Sequence, residues 1–513
     1  MRGGPPLIVA VRALERSHYR RTTSDRQANC RYVGRATRRR YNRVGCISIE
    51  VGLRKQILLW SCLGALTACG PPPSPPPQQQ KAQEITIAMR PGPTTWFTGP
   101  DGDAAGFDRE LAELFAREIG LPLRIVPADS PRQLLEKTAS GEAQIGAGGL
   151  YRTPTGGADG AASALLYSSG YYAVEPVLVY NSDGFKPDSW TDLIGETVGI
   201  VDGTGLEAGL AKVRGDHPDV QWRPLALPAA EGLLEQVSEG SLGYAVVGSN
   251  EAALVRNVFL NVETAFAVGP KQDLVWVLTS TQAALLDKVN AFFARIAKDG
   301  TLQRLIDRYF GHVRRVERID AGVFQDRIRT VLPAFTALFH QAQQESGIEW
   351  RLIAAIAYQE SHWDPLATSE TNVRGMMMLT EDTARRLRVN DRLDPRQSIA
   401  AGARYLADLK RSLPARIAEP DRTWIALAAF NIGVGHLEDA RVLAARRKLN
   451  PDSWSDIKKT LPLLAQADVA DDTKFGVARG GQAVVFVETV RAYYDVLLRF
   501  EKPYFGARLQ ATQ

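Results

Sequence analysis

Six prolines in seven positions, Pro71-Pro72-Pro73-Ser74-Pro75-Pro76-Pro77, followed by Gln78-Gln79-Gln80, divide this 513-residue chain. Proline offers no backbone N–H to a helix or a sheet, so no regular element crosses the stretch. It favours extended polyproline II and forms a semi-rigid tether. Folding is therefore confined to one side. The carboxy-terminal side is long enough for two or three domains. All four cysteines, Cys30, Cys46, Cys62 and Cys69, precede it. The folded side is thus expected to hold no disulfide, thiolate nucleophile or cysteine metal site. The six histidines show no H-E-x-x-H spacing, so neither metal nor cofactor is expected.

Charge separates along the same line. Residues 1–50 hold twelve Arg against Glu15, Asp25 and Glu50; with Arg54 and Lys55, residues 1–68 carry +11 of a total of +5, leaving −6 for the rest. A nucleic-acid partner needs basic charge on the folded part, so nucleic acid is excluded. An apolar share of 45% with 23% charged residues is that of an ordinary globular protein.

Residues 1–50 lack apolar periodicity and contain Arg38-Arg39-Arg40. A disordered basic arm and translated upstream sequence are both open; the second is preferred because a better amino terminus follows, with Val51 as a candidate first residue. Arg54 and Lys55 precede an apolar run from Ile57 to Leu66, too short to span a bilayer but suited to a signal peptide. Leu66-Thr67-Ala68-Cys69 then resembles a bacterial lipobox. An ordinary signal peptide is the alternative, but a tether directly after a cysteine makes sense if Cys69 carries lipid. Gly70, rather than Asp, follows it. The expectation is an outer-membrane anchor, with the folded part facing the periplasm.

Beyond residue 84, strands alternate with amphipathic helices, which argues for an α/β domain. The strand candidates are Ile85–Ala88, Leu123–Val126, Gln144–Ala147, Val177–Tyr180, Thr197–Val201, Tyr244–Val247 and Leu274–Leu278; a helix opens at Gly106-Phe107-Asp108. That opening, Gly141-Glu142-Ala143-Gln144-Ile145 and the end Asp299-Gly300-Thr301-Leu302…Tyr309-Phe310-Gly311 resemble the periplasmic amino-acid-binding proteins of ABC transporters. The resemblance covers residues 84–312 and implies two α/β lobes around a ligand cleft, crossed by strands near 177–180 and 274–278. The ligand contacts depart from it. Where the family has Thr-x-x-Arg, whose Arg forks onto the ligand carboxylate, this chain has Thr153-Pro154-Thr155-Gly156. The family's later Asp is Ser249, and Arg152, the substitute nearby, is of a kind more often solvated. A sensor of cell-wall fragments (muropeptides) or a simple scaffold fits better than free amino-acid binding.

Residues 313–329 read as a linker, residues 330–502 as a mainly α domain and residues 503–513 as a tail. Phe335–Gln344 is expected to be a helix, ended by Ser346-Gly347. A second runs from Ile348 to Ser361, with Ile348, Leu352, Ile356 and Glu360 on one face at a spacing of four. Taken alone, Glu360 is more often a solvated or ion-paired carboxylate. Its surroundings reverse that. Glu360-Ser361-His362-Trp363-Asp364-Pro365 resembles the catalytic Glu-Ser motif of the soluble and membrane-bound lytic transglycosylases. Gly375-Met376-Met377-Met378, Ala429-Phe430-Asn431-Ile432-Gly433-Val434-Gly435 and Gln482-Ala483-Val484-Val485-Phe486-Val487 resemble their later motifs, in family order. Met378 stands where the wider superfamily has Gln, Gln482 where it has Glu, and Phe486 where it has Tyr.

The resemblance implies a lysozyme-like domain and a reaction on peptidoglycan glycan strands. One carboxylate protonates the oxygen linking N-acetylmuramic acid to N-acetylglucosamine. It then takes the proton of the muramoyl C6 hydroxyl, which closes a 1,6-anhydro ring. Most glycosidases pair two carboxylates; one suffices when the substrate supplies its own nucleophile. Glu360 is the candidate acid and base, with Ser361 to orient it, Met377 as cleft wall and Asn431 for substrate hydrogen bonding. Gln482 and Phe486 are supporting positions, while Gly375, Gly433 and Gly435 allow close backbone approach. The methionines could equally be core filler. A hydrolytic muramidase, a non-catalytic sensor with a degenerate lysozyme domain, and a dedicated amino-acid-binding protein are the competing readings.

Overall fold

A computed structural model describes residues 84–99, 104–153, 165–313, 318–470 and 473–505. The basic arm, Cys69, the tether and Pro154–Gly156 lie outside these residues. From Gln79 onward the chain forms one compact unit, so its two modules can be described together.

The first module is two-lobed, as the resemblance implies. Strands β1 (Ile85–Met89), β2 (Leu123–Pro127), β3 (Ile145–Tyr151), β4 (Leu165–Tyr167) and β5 (Tyr172–Val174) belong to the first lobe. The second lobe holds β6 (Pro176–Asn181), β7 (Thr197–Val201), β8 (Gln221–Leu225), β9 (Tyr244–Gly248) and β10 (Val262–Ala267). The chain then returns to the first lobe as β11 (Gln272–Thr279). The first sheet runs β2-β1-β3-β11-β4, with β5 also on β11, and the second runs β8-β7-β9-β6-β10. The strands expected to cross the cleft, near 177–180 and 274–278, lie within the lobes; the chain crosses just before β6 and just after β10. β1, with every residue buried, is central and parallel to both neighbours, which explains why all its residues but Thr86 are apolar.

Helices α1 (Phe107–Glu118), α2 (Pro131–Ala139), α3 (Ala230–Ser238), α4 (Ser249–Val255), α5 (Ala283–Lys298) and α6 (Thr301–Phe310) cover the sheets. The motif pieces distant in sequence meet here. The Phe107 ring lies 5.3 Å from Phe310 and 5.9 Å from Tyr309, edge-on to both. Such tilted aromatic pairs add about 0.5–1.5 kcal/mol beyond burial.

The second module is helical: α7 (Arg318–Thr330), α8 (Thr336–Ser346), α9 (Trp350–Ser361), α10 (Pro395–Ser412), α11 (Asp421–Ile432), α12 (Val434–Arg446), α13 (Trp454–Thr460) and α14 (Gly480–Phe500). Most of the expected linker, residues 313–329, is helix α7. Ala321, Phe324 and Ile328 form an i, i+3, i+7 stripe buried in the core of this module. Phe324 sits 4.3 Å from Tyr358, 4.5 Å from Tyr493 and 5.5 Å from Trp363. α9 is buried from Trp350 to Tyr358. A helix that is apolar all round belongs at the centre of a core, and α9 packs along α14.

The modules dock through charged groups. Arg308 on α6 pairs with Glu110 on α1 and, at 2.5 Å, with Asp421 at the start of α11. Lys458 on α13 pairs with Asp307 at 2.5 Å. The second lobe makes its own contacts: Arg499 pairs with Glu231, and Gln325 on α7 donates to the Asn257 carbonyl at 2.8 Å.

Candidate active site

The last turn of α9 is fixed from several directions. After Ser361 the chain takes two residues with positive φ, His362 at 52° and Trp363 at 60°. Non-glycine residues adopt this conformation only when the surroundings enforce it. Here the Trp363 side chain is fully buried and donates from Nε1 to the Ala354 carbonyl at 2.8 Å. The Ser361 hydroxyl lies 2.8 Å from the Met376 carbonyl and 3.0 Å from that of Ala357. Ser361 was expected to orient Glu360. Its hydroxyl bonds to these carbonyls pin the helix end to the following loop.

Glu360 is half-buried on this pinned turn. Burial pushes its carboxyl up to about 8, with no charge or hydrogen bond opposing the shift. Burial removes water from around the group, which disfavours the anion. The group is therefore largely protonated at neutral pH, as a general acid requires. Other acids nearby serve the backbone: Asp364 accepts from the Leu366 N–H at 2.9 Å, and Glu349 caps α9 while pairing with Arg351 at 2.8 Å.

The loop at Gly375 is built for closeness. Its φ is 83°, and a Cβ there would come within 1.8 Å of the Arg392 carbonyl oxygen. The close approach is thus to the protein's own backbone. Met377, expected in the cleft wall, is buried in the core instead; its N–H bonds the Ser398 hydroxyl at 3.1 Å and its side chain lies against Gly402 of α10. Met378, with φ at 43°, is the half-exposed residue of the three. Met376 and Met377 are both buried, and the single step from Met377 to Met378 exchanges core for surface.

Asn431 is exposed on the last turn of α11. Gly433, at φ 89°, redirects the chain into α12, and Gly435 lies beneath the Phe475 ring. Phe430 stacks on Phe486 with centroids 6.4 Å apart and planes 6° from parallel. Phe486 is buried, and Gln482 is exposed one turn earlier on α14. Two rings without hydroxyls face each other, so neither leaves a buried polar group to satisfy. Sequence reasoning assigned no role to Trp363, Tyr358 or Phe324, since nothing local marks the three as one aromatic cluster.

The cleft of the first module holds Asp108 of the motif and two charged groups the motif did not indicate, Arg90 and Glu251. Arg90, directly after β1, is 1% exposed; it donates to the Gly148 carbonyl at 2.7 Å and, across the lobes, to the Pro228 carbonyl at 2.8 Å. Glu251 of the second lobe stands 3.7 Å from the Arg90 guanidinium. Burial raises Asp108 to about 6, against the Tyr171 hydroxyl that donates to it at 2.7 Å. Arg90 and Glu251 are thus charged groups at other positions than the family's ligand contacts, and they are satisfied internally. A cavity of about 10 Å³ remains, lined by Asp108, Tyr151, Asn250 and Glu251 among others, room for about one water. Arg152 is exposed and donates to the Ser168 carbonyl, while the Ser249 hydroxyl accepts from the Glu175 N–H at 3.3 Å.

A two-lobed α/β binding module docked on a helical domain with a desolvated glutamate at the end of α9 defines the class: a solute-binding fold joined to a lysozyme-like transglycosylase. Residues 85–312 match the bacterial extracellular solute-binding proteins, family 3, and residues 337–451 match the transglycosylase SLT domain. A membrane-bound lytic murein transglycosylase F of Nitrosospira multiformis is 42% identical over 452 residues, covering 87% of this chain and 92% of the relative. One of Methylobacillus flagellatus is 41% identical over 440 residues, covering 85% and 92%. The chain belongs to the membrane-bound lytic murein transglycosylase F family.

Proposed function

We propose that Glu360 carries out lytic transglycosylation of peptidoglycan as the single acid and base. The chain is a peptidoglycan lytic transglycosylase. It breaks the β-1,4 bond between N-acetylmuramic acid and N-acetylglucosamine. The Glu360 carboxyl gives its proton to the glycosidic oxygen as the C1–O bond breaks, and the departing sugar leaves with a 4-hydroxyl. The carboxylate then takes the proton of the muramoyl C6 hydroxyl as that oxygen bonds C1, so Glu360 is regenerated and water is not consumed. Acid–base assistance of this kind supplies roughly 10²–10⁴-fold.

The observation that carries this reading is a carboxyl raised to about 8 by burial, on a turn fixed by Ser361 and Trp363. Asn431, exposed at the end of α11 in the family motif, is assigned to hydrogen bonding with the glycan, and Met378 replaces Met377 as the cleft-wall candidate. Gly375, Gly433 and Gly435 shape the backbone around them; Gln482 and Phe486 have supporting roles. Mass spectrometry of digested sacculi tests the chemistry. Terminal 1,6-anhydro rings support it, and reducing muramoyl ends would assign a hydrolase.

The modules are residues 84–312 and a transglycosylase domain that begins at Arg318 rather than residue 330. Cys69 carries lipid and holds the protein at the periplasmic face of the outer membrane, because two or more acyl chains anchor stably. Cys69→Ala should release active, soluble protein; retention in the outer membrane after a high-salt wash would refute the anchor. The first module takes muropeptides. An opened cleft would offer a guanidinium to their carboxylates and Glu251 to their amines. Single amino acids would lack the family's Arg and Asp contacts, which are Gly156 and Ser249 in this chain, and calorimetry showing micromolar affinity for one would refute this. Regulation further requires that activity change with muropeptide occupancy.

A further inference from the structure

Phe475 is a large apolar side chain on the catalytic module that is both half exposed and rigidly held. Its ring is 50% exposed. An exposed phenylalanine on a loop is ordinarily a mobile tip, but this loop is anchored. The carboxylate of Asp439 on α12, itself 5% exposed, accepts the Lys474 N–H at 3.0 Å with one oxygen and the Phe475 N–H at 2.9 Å with the other. Burying a carboxylate is costly unless its hydrogen bonds are filled. Here they are filled by the two backbone groups that set the direction of the ring.

One face of that ring is occupied. A Cβ on Gly435 would stand 2.8–2.9 Å from three Phe475 ring atoms, so the ring lies directly on the Gly435 backbone. His436 packs against it edge-on at 6.2 Å. The ring is otherwise exposed apart from the Lys474 ammonium, which stands over it 5.4 Å from its centre, and Val434 and Val477 in the two contacting segments are 45% and 62% exposed. Gly435 closes the turn that begins at the exposed Asn431. The supported face lies on Gly435, four residues after the exposed Asn431.

We infer that Phe475 is a sugar-stacking platform, a substrate-binding residue that takes the apolar C–H face of a pyranose in the glycan strand. This rests on the reading of the Asn431 turn as part of the glycan cleft. A pyranose ring presents axial C–H groups on one face and hydroxyls around its edge. An immobile flat ring beside an amide is suited to both. Lys474, its ammonium 5.4 Å from the ring centre, adds positive charge where muramoyl residues carry their acidic stem peptides.

The test uses the full-length chain with soluble glycan strands. Phe475→Ala should raise KM about tenfold with kcat nearly unchanged, the pattern of binding lost equally from ground and transition states, and Phe475→Tyr should restore it. Products should still end in 1,6-anhydro rings. In a Glu360→Gln background, Phe475→Trp should add a fluorescence component that shifts as strands are titrated. An unchanged KM for Phe475→Ala, or an added tryptophan blind to glycan, would overturn the proposal. Reducing-end products from every variant, including wild type, would instead refute the transglycosylase chemistry and leave the platform standing.

Discussion

The Ser361 hydroxyl, 2.8 Å from the Met376 carbonyl oxygen, ties the last turn of α9 to the loop that follows it. The residue next to the catalytic candidate thus acts on geometry rather than on protonation. Ser361→Ala should cost about 1 kcal/mol of stability, the usual worth of one such bond. It should also lower kcat more than it raises KM, because the carboxyl loses its fixed direction. Thermal melting and steady-state kinetics check both. Unchanged kcat would show that Trp363 alone fixes the turn.

The pH profile follows from the direction of the Glu360 shift. Its folded value, about 8, is raised above the ordinary 4.5, so the protonated form is the favoured one in the fold. Activity should fall as pH rises through about 8, where the acid loses its proton. Stability contributed by the neutral carboxyl is fully present below pH 4.5 and is lost progressively up to about 8. Glu360→Gln, which cannot ionise, should therefore melt higher than wild type at pH 9 and close to it at pH 4.5. An alkaline limb of activity centred near 5 would contradict the burial account.

The Phe430–Phe486 stack should behave as a unit. Replacing each by Ala, singly and together, should reveal a coupling of about 0.5–1.5 kcal/mol in unfolding free energy. Strict additivity would mean that the two rings, 6.4 Å apart, contribute only their separate burial.

Helix α7 belongs to the catalytic core. A fragment beginning at residue 331 loses Ala321, Phe324 and Ile328 from that core. The Phe324 ring alone is worth about 3–5 kcal/mol, or roughly 10 °C for a domain of this size. A fragment beginning at Arg318 should melt at least that much higher than one beginning at 331. Equal melting temperatures would restore the segment to linker status.

Much of this was legible beforehand. The central strands of the first module are apolar runs that can hardly be read otherwise, and β1, Ile85–Met89, came within one residue. β4, Leu165–Tyr167, is too short to show alternation, and β8, Gln221–Leu225, carries Arg223 and Pro224 on an exposed edge. α7 escaped because Arg318, Asp320, Asp326, Arg327 and Arg329 mask three buried positions. Glu360 was legible because its helical phase coincides with a motif. The role of Ser361 was not, since a sequence cannot show which carbonyl a hydroxyl meets. Arg90 was missed for a related reason: nothing local marks an arginine before Pro91 as buried, and its partner Glu251 comes from the other lobe.

The most direct measurement is the release of 1,6-anhydromuropeptides from purified sacculi by full-length wild type and Glu360→Gln, followed by mass spectrometry. The substitution keeps the shape and removes the transferable proton. Folded variant that releases product at least about 100-fold more slowly is the expected result. Release within about tenfold of wild type would contradict Glu360 as the single acid and base.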